Sequence, residues 1–401
     1  MNFPFYIAKR YLFSKSSNNT INIITFIAFL GVVIGTLSLF IVLSGFSGLK
    51  TFSISFLNIS DPDLKITSVA GKSFHFSDKI KNTLEKTDGI AAYSKVIEER
   101  AFFSYHNKEI VAFIKGVDYN YLTVNKIDTA LIAGNWLQST IENASVVGKG
   151  ISHKLSLGIY DFTEPLKIYV PKPGLGYIND PREGFNMIRT QNIGIYALTE
   201  EVDNKFVYTD LSIVQNLLSY NTNQISGIEI KVISDKLIYQ VKNSIEKKLG
   251  QNYKIETREQ LNALFYKMLN TENLVLYFIF TLVLIIALFN VIGAIIMMIL
   301  DKKENLKTLS NLGLTIKEIR LIFVLHGFLL TLFGLIIGLI IGSILILLQL
   351  KFQLFMITKT LAYPVEFTVI NLGIVIVTIT VLGFLASLIA SSRISSKVIH
   401  Q

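Results

Sequence analysis

The sequence contains no cysteine, and only 17% of its 401 residues carry a charge. The lack of cysteine excludes disulfide bonds, thiolate metal sites and a lipid-modified N-terminal cysteine. A soluble domain averages about 25% charged residues, whereas 51% of this chain is hydrophobic and its mean hydropathy is +0.49. The composition therefore indicates an integral membrane protein.

Four long apolar stretches account for the excess of hydrophobic residues. Each is long enough to cross a hydrocarbon core of about 30 Å, which takes about 20 helical residues. A cleaved signal peptide would begin like the first stretch, but the uncharged run is too long for one, so we expect a retained anchor. The predicted transmembrane helices 1 to 4 are residues 21–47, 273–300, 321–350 and 367–392.

The short segments that flank these helices predict the orientation of the chain. Residues 1–20, 301–320 and 393–401 together hold ten basic and three acidic residues, and positive segments beside membrane helices stay in the cytoplasm. We therefore expect a cytoplasmic interfacial helix at the N-terminus, a cytoplasmic helix in the middle segment and a cytoplasmic tail. The loop 351–366 and residues 48–272 then lie on the outer side, and no nucleic-acid partner is indicated.

Residues 48–272 have the composition of a soluble domain, with 26 basic and 25 acidic residues. Strand-like runs such as "DLKITSV" and "EIVAFIKGVD" alternate with helical runs such as "DKLIYQVKNSIEKKLG". The predicted fold is an α-helical membrane protein with four transmembrane helices and a large α+β domain, possessing two subdomains, inserted between helices 1 and 2. Helical periodicity without a breaker from Arg258 into helix 2 predicts a rigid stalk.

The sequence contains no recognisable catalytic or nucleotide-binding motif. "AGKS" at residues 70–73 resembles the end of a phosphate-binding loop, but Ile66 occupies the position where that loop requires glycine. The five histidines lack metal-ligand spacing, and no nucleophile-elbow or zinc-protease signature is present. We therefore expect a non-catalytic chain with no metal site and no cofactor of its own.

Glycines recur at four-residue spacing in two of the predicted spans. Helix 1 contains "GVVIG" and helix 3 contains "GLIIGLIIG". Small residues at this spacing let helix backbones approach closely. The predicted helix-packing residues are Gly31, Gly35, Gly334, Gly338 and Gly342.

Three stretches carry a resemblance to a known family. They are "YIAKRYLFSK" with the span that follows, "NVIGAIIMMILDKKENLKTLSNLGLTIKEIR", and "SVVGKGISHKLSLGIYDF" in the outer domain. On these motifs the chain resembles the FtsX-like, mechanotransmission-type ABC permeases, and it is most similar to the transmembrane subunits of the lipoprotein-releasing (Lol) system. Ser156 and Tyr160 depart from the pattern, because that family usually has glycine-like residues there.

The resemblance implies a function and a set of partners. A separate ATPase subunit would bind ATP and magnesium, and a second permease subunit, identical or related, would complete the transporter. The outer domain would then lie in the periplasm of a bacterium and hand lipoproteins from the inner membrane to a soluble periplasmic carrier. Lipoprotein cargo and membrane lipid are the remaining implied partners.

A segment rich in proline and glycine, residues 171–187, predicts a long protruding loop in the outer domain. Its position matches the arm with which one Lol subunit recruits the carrier, although a loop without a partner has the same composition. The candidate carrier-recruiting residues are Pro171, Pro173, Gly174, Leu175, Pro181 and Phe185.

The resemblance also implies an apolar cleft for acyl chains between helices 1 and 2 of facing subunits. Residues at helical spacing could line it, although ordinary lipid-facing or core residues follow the same pattern. The candidates are Leu39, Val42, Leu43, Phe46, Leu276, Phe280 and Leu284.

The segment "LDKKENLKTLSNLGLTIKEIR" between helices 2 and 3 is predicted to form two capped helices. Asp301 with Glu304, and Thr315 with Glu318, are the expected capping pairs. Leucines recur every three residues, and a glycine suits a left-handed stop. The family resemblance makes this segment a coupling helix seated on the ATPase. Its candidate contact residues are Glu304, Leu306, Leu309, Leu312 and Gly313.

Two alternative functions stay open. One is a mechanotransmission module that activates a cell-wall hydrolase, and the other is an efflux-type permease with an adaptor and an outer-membrane duct. The large outer domain speaks against the first, and the lack of an ATPase sequence in this chain speaks against the second.

Overall fold

The computed structural model describes residues 3–13, 19–137, 141–172, 184–358 and 361–394. The chain divides into two compact units. We call residues 1–52 with 267–401 the membrane unit, and residues 53–266 the inserted domain.

Four of the described helices are long and apolar enough to cross a membrane. They are α2 (Asn19–Ser60), α10 (Ala263–Asp301), α12 (Ile316–Phe352) and α13 (Val369–Ser391). The remaining α-helices are α1 (Phe3–Phe13), α3 (Asp78–Glu85), α4 (Tyr121–Val124), α5 (Lys149–Leu155), α6 (Glu200–Asp203), α7 (Leu211–Leu218), α8 (Ile238–Leu249), α9 (Arg258–Leu261) and α11 (Lys303–Asn311), with 3-10 turns at Ile127–Ala130 and Asp235–Leu237.

The predicted unbroken stalk helix is irregular at its start. Thr257 and Gln260 form a capping box that begins α9, which ends after one turn. Asn262 departs from helical geometry, with a φ of −111°, and its side-chain amide donates to the Asp61 carboxylate at 2.7 Å. Helical bonding still continues through this point, because the Asn262 N–H donates to the Arg258 carbonyl and the Tyr266 N–H donates to the Asn262 carbonyl. The prediction therefore missed only this irregularity, which involves a hydrogen bond to a residue far away in sequence. From Ala263 onwards α10 continues without interruption to Asp301.

The inserted domain contains all the strands among the described residues. They are β1 (Leu64–Ser68), β2 (Phe74–His75), β3 (Ile90–Tyr105), β4 (Lys108–Val117), β5 (Leu131–Gly134), β6 (Ala144–Gly148), β7 (Leu166–Pro171), β8 (Phe185–Tyr196), β9 (Phe206–Asp210), β10 (Gln224–Ile225), β11 (Gly227–Val232) and β12 (Tyr253–Thr257).

Six of these strands close a hydrogen-bonded ring. The order around the ring is β3, β4, β9, β6, β8 and β7, with β7 pairing back onto β3. The first half of β3 also pairs with β11, and β1 and β12 extend the sheet on that side. The long strand β3 joins both parts, because its first half pairs with β11 and its second half pairs with β7.

Two apolar cores pack against this one sheet. The larger core includes Phe103 and Ile168 and is covered by helices such as α7 and α8. The smaller core includes Tyr121, Tyr196 and Tyr208. Because both cores use strands of the same sheet, the domain is one compact unit, and the prediction of two subdomains is wrong.

Ser156 and Tyr160 adopt left-handed backbone conformations, with φ of +53° and +56°. These are the positions at which the resembled family usually has glycine-like residues. A side chain disfavours this conformation by roughly 1–2 kcal/mol. Local bonds offset part of that strain, because the Asn135 amide donates to the Tyr160 hydroxyl at 2.8 Å.

Candidate functional site

The connector between α10 and α12 is built from α11 and two turns. Gly313 has a φ of +98°, the left-handed conformation predicted for the helix stop. At the start of α12 the Glu318 N–H donates to the Thr315 hydroxyl, and the Thr315 N–H donates to the Glu318 carboxylate at 2.8 Å. The second predicted cap is therefore confirmed.

The first predicted cap is wrong. Asp301 is the last residue of α10, and the N-cap of α11 is Lys302, which makes no capping hydrogen bond through its side chain. Helical bonding continues through this turn, because the Lys302 N–H donates to the Met298 carbonyl at 3.0 Å. Asp301 consequently cannot act as an N-cap, and its carboxylate contacts the Lys302 ammonium at 2.7 Å instead.

The three leucines of the connector do not share one surface. Leu306 is 1% exposed and Leu309 is half-buried, and both pack against the apolar core of the membrane unit. Leu312 lies just beyond the end of α11, where the helical spacing no longer applies, and it is 74% exposed. Of the predicted coupling residues, Glu304, Leu312 and Gly313 are therefore accessible, whereas Leu306 and Leu309 anchor the connector.

The glycines of α12 lie against α2. A Cβ added at Gly338 would be 2.6 Å from the Thr36 Cβ and 2.8 Å from the Val33 carbonyl oxygen. Real Cβ atoms do not approach other atoms so closely, so the two backbones can pack at this distance only without a side chain. The facing pairs are Gly334 with Val32, Gly338 with Thr36 and Gly342 with Phe40.

The glycines of α2 lie against α10. A Cβ at Gly35 would be 2.8 Å from the Leu284 Cδ1, and one at Gly31 would be 3.8 Å from the Ala287 Cβ. The contact at Gly35 is therefore the tighter of the two. Together the five glycines bring α2 close to two neighbouring helices.

The predicted cleft residues do not form an open wall. Leu39, Leu43 and Leu284 are buried in the core of the membrane unit, because the small residues of α2 draw the helices together at this level. Phe46 is also buried. The other predicted cleft residues, Val42, Leu276 and Phe280, are half-buried.

A different face of α10 is exposed and apolar. Its exposed residues recur every three or four positions and therefore share one side of the helix. The sequence did not distinguish this face from the buried one, because both consist of the same residue types. It is formed by Val275, Phe278, Ile279, Leu282, Ile285, Ile286 and Phe289.

The flanks of the predicted carrier loop form a strand pair. Pro171, at the end of β7, lies opposite Phe185, at the start of β8, and the Lys172 N–H donates to the Gly184 carbonyl at 2.9 Å. The loop is therefore shorter than the predicted 171–187, because β8 already begins at Phe185. The other predicted carrier-recruiting residues, Pro173, Gly174, Leu175 and Pro181, lie outside the described residues.

An apolar row crosses the outer face of the strand ring beside this hairpin. The register places Val111, Phe102, Tyr169 and Met187 side by side on β4, β3, β7 and β8. Val111 is 51% and Met187 44% exposed. Sequence patterns did not reveal this surface, because an apolar residue at alternate strand positions is normally a core residue.

Basic side chains flank the apolar row. Lys167 and Arg189 are paired in the register two positions from Tyr169 and Met187, and Arg100 lies two positions from Phe102. Residues two apart in a strand point to the same side of a sheet. The row is therefore an apolar surface with charges of both signs at its border, because the exposed Glu109 lies two positions from Val111 and the Lys167 ammonium lies 3.2 Å from the Glu164 carboxylate.

A charge cluster is buried where the outer face of the sheet meets the smaller core. Lys115 Nζ lies 2.7 Å from Glu229 Oε1 and 2.9 Å from Glu98 Oε1, and Lys65 Nζ lies 2.7 Å from Glu98 Oε1. The side chain of Glu229 is fully buried. Its second oxygen accepts a hydrogen bond from the Asn125 amide, so this carboxylate is satisfied on both oxygens.

The neighbouring charges shift the pKa values of two members of the cluster, Lys115 and Glu98. Burial alone would lower the pKa of Lys115, but the carboxylates of Glu229 and Glu98 outweigh it and raise that pKa well above its ordinary value. Burial alone would raise the pKa of Glu98, but the neighbouring ammonium groups hold it below its ordinary 4.5. The rings of Tyr121 and Phe206 lie 5.3 and 5.2 Å from Lys115 Nζ. These rings enclose the cluster, and its ion pairs link strands inside the domain.

Comparison with known proteins adds to this geometry. The family described as FtsX-like permease C-terminal matches residues 277–399. A lipoprotein-releasing system transmembrane protein LolC from Buchnera aphidicola subsp. Schizaphis graminum is 27% identical over 396 residues, covering 96% of this chain and 94% of the relative. A LolE protein of the same system from Haemophilus influenzae is 24% identical over 351 residues, covering 86% of this chain and 83% of the relative.

Solved structures show a weaker similarity. The extracellular domain of the noncanonic ABC-type transporter YknZ from Gram-positive bacteria is 17% identical and has a TM-score of 0.33, covering 48% of this chain and 99% of that domain. The periplasmic region of MacB from Actinobacillus actinomycetemcomitans is 14% identical and has a TM-score of 0.35, covering 52% of this chain and 96% of that region. From these sequence matches, residues 277–399 are similar to the FtsX-like permease family, and the chain resembles the transmembrane subunits of the Lol system along most of its length.

Proposed function

We propose that the chain is the permease subunit of an ABC transporter that releases lipoproteins from the inner membrane to a periplasmic carrier. The observation that supports this most is the extent of the similarity to proteins named for lipoprotein release. It covers 96% and 86% of the chain in the two relatives described above, so it includes both the membrane unit and the inserted domain.

In this proposal the chain lies in a bacterial inner membrane with the inserted domain in the periplasm and both termini in the cytoplasm. The basic segments beside the membrane helices support this orientation, since ten of their thirteen charged residues are positive. The connector then lies on the cytoplasmic side, where ATP is available.

The connector is the proposed contact for a separate ATPase subunit, which would bind ATP and magnesium. Leu312 is an exposed leucine that lies between the end of α11 and the turn at Gly313, ahead of the capped helix α12. An exposed apolar side chain on a fixed backbone suits insertion into a pocket of a partner protein. The anchoring of Leu306 and Leu309 in the membrane unit would pass movement of the ATPase to α10 and α12.

The exposed face of α10 is the proposed contact for a second permease subunit and for the acyl chains of the cargo. It replaces the buried residues Leu39, Leu43 and Leu284, which cannot meet cargo without opening the core. A broad apolar face in a membrane helix can pack against a partner helix or an acyl chain equally well.

The β7–β8 hairpin and the apolar row beside it are the proposed contact for the carrier. A carrier that shields acyl chains must itself expose apolar surface near its opening. The exposed apolar side chains of the row would favour a partner whose matching surface is also apolar.

Depletion of the chain in its own organism tests the proposed function. Membranes are separated on a density gradient after metabolic labelling of lipoproteins with a radioactive fatty acid. The proposal predicts that newly made lipoproteins accumulate in the inner membrane as the chain is depleted. Normal sorting combined with a loss of cell-wall hydrolysis would contradict it and support the hydrolase-activating alternative.

A further inference from the structure

A pocket of about 580 Å³ opens between α1, α2, α10 and α12 within the membrane unit. Ligand pockets in proteins typically measure about 300–1,000 Å³. The pocket is separate from the exposed face of α10 and includes the corner at which α10 joins the connector. Its occupant is therefore positioned to affect that corner.

The walls of the pocket change from polar to apolar along α2. Asn19 and Asn22 lie in the first turns of that helix, and Phe26 and Phe29 follow further along. Ten residues of helix correspond to about 15 Å. On the facing helix α12 the lining residues, such as Leu330, are apolar. This gradient matches a ligand with a polar head and an apolar chain.

The apolar part of the pocket opens on the outer surface of the membrane unit. Phe26 is 59% exposed, and Phe333 and Ile337 are each 39% exposed. In a membrane that surface is covered by lipid, so an acyl chain can enter the pocket from the side without crossing a polar barrier. A water-soluble ligand would meet mostly apolar walls.

Thr25 supplies a polar contact partway along the pocket. Its hydroxyl oxygen is buried and has no hydrogen-bond partner among the described residues. By contrast, the hydroxyls of Thr36 and Thr378 donate to carbonyls one turn earlier in their own helices. An unpaired buried hydroxyl is unfavourable, and the ester carbonyl of a glycerolipid is a suitable acceptor at this depth.

Among the described lining residues, the polar end of the pocket carries one charge of each sign. The Asp301 carboxylate and the Lys302 ammonium are 2.7 Å apart, and both side chains are largely buried. Their net charge is zero, which matches a headgroup that also carries one charge of each sign. The phosphate of such a headgroup would approach Lys302, and its ammonium would approach Asp301.

We propose that this pocket binds one zwitterionic glycerophospholipid, with its headgroup at Asp301 and Lys302 and one acyl chain between α2 and α12. The bound lipid steadies the corner between α10 and the connector. Lipid binding at this site does not require lipoprotein release, so the two proposals can be tested independently.

The test uses the full-length protein in nanodiscs that contain phosphatidylethanolamine with a photoreactive diazirine on one acyl chain. Adducts are mapped by mass spectrometry after irradiation. The proposal predicts labelling of Met298 and Leu330, which are only 7% and 2% exposed, in addition to surface residues such as Ile344. Labelling confined to surface residues would overturn it.

Two comparisons make the assignment specific. Thr25→Val keeps the shape of the side chain but removes the hydroxyl, and should reduce labelling of Met298 and Leu330 about fivefold, as expected for one hydrogen bond. Thr281→Val removes another buried hydroxyl without a partner among the described residues, but outside the pocket lining, and should have no effect. Equal labelling in all three proteins, or preferential labelling by an anionic phosphatidylglycerol probe, would contradict the proposed ligand.

Discussion

Single residues show how the inserted domain keeps charges in its interior. Lys115 is surrounded by two carboxylates and aromatic rings, and Glu229 has no exposed side-chain surface. Removing one partner of a buried ion pair leaves the other charge uncompensated, which typically costs about 3–5 kcal/mol. An ion pair at the surface contributes only about 0–1 kcal/mol.

Lys115→Met should therefore lower the free energy of unfolding of the inserted domain by about 3–5 kcal/mol. Denaturant titration followed by the fluorescence of Trp136 measures this, because the single tryptophan lies 5.2 Å from the ring of Tyr208 in the same core.

Lys72→Met is the matched control for this substitution. The Lys72 side chain is 78% exposed and pairs with Glu99 at 2.7 Å, so its removal should change the unfolding free energy by about 1 kcal/mol or less. Equal changes in the unfolding free energy for the two substitutions would show that the buried cluster does not stabilise the domain more than a surface ion pair does.

The roles of single residues could be predicted where they depend only on residues nearby in the sequence. The Thr315–Glu318 cap and the left-handed Gly313 were predicted from local sequence, because both depend on residues close together in the chain. The burial of Leu309 could not be predicted, since it depends on packing against other helices of the membrane unit. The same applies to Lys115, whose partner Glu229 is more than a hundred residues away.

Among the secondary-structure elements, α2 makes close glycine contacts with two neighbouring helices. It faces glycines of α12 on one side and presents its own glycines to α10 on another. In a membrane the hydrophobic effect does not drive helices together, so helix packing depends on such close contacts. The glycine spacing was visible in the sequence, but the identity of the facing helices was not.

Gly338→Ala should destabilise the membrane unit by about 1–3 kcal/mol, because the added methyl group overlaps the α2 backbone. Gly373→Ala on α13 is the control, since a Cβ there would meet no atom within 4 Å. Thermal unfolding in detergent, followed by circular dichroism, should show a lower transition temperature only for Gly338→Ala. A similar decrease for both would contradict the packing account.

The connector gives a second prediction for an individual element. Leu312→Glu should weaken co-purification with the partner ATPase about tenfold, a loss of roughly 1.4 kcal/mol, because a charge replaces an apolar interface side chain. Asn305→Glu adds the same charge at another exposed position of α11 and should leave co-purification unchanged. Wild-type behaviour of Leu312→Glu would remove this residue from the proposed contact.

Whole helices and strands could be predicted where the sequence pattern that specifies them lies within the element itself. The four long helices follow from continuous apolar runs, which only a membrane or a large core can accommodate. The irregularity at Asn262 and the closed ring of strands could not be predicted, because both involve hydrogen bonds between distant parts of the chain. The exposed apolar row could not be predicted either, because apolar residues at alternate strand positions are normally core residues.

At the scale of the whole molecule, a membrane unit and an inserted domain belong to one chain, which we propose to act as a permease driven by a partner ATPase. Its sequence is similar to lipoprotein-releasing proteins over most of its length, which supports the proposed function. The work would be done by a partner ATPase, and this chain would convert that work into movement of a lipid-modified cargo. This claim requires that release depends on ATP and on the chain together.

Reconstituted release tests this claim most directly. Proteoliposomes containing the chain, its partner ATPase and a fluorescent lipoprotein are mixed with the soluble carrier, and carrier-bound lipoprotein is measured with and without ATP. The account predicts ATP-dependent transfer to the carrier that is absent from proteoliposomes lacking the chain. Active ATP hydrolysis with no transfer above the level without ATP would contradict it.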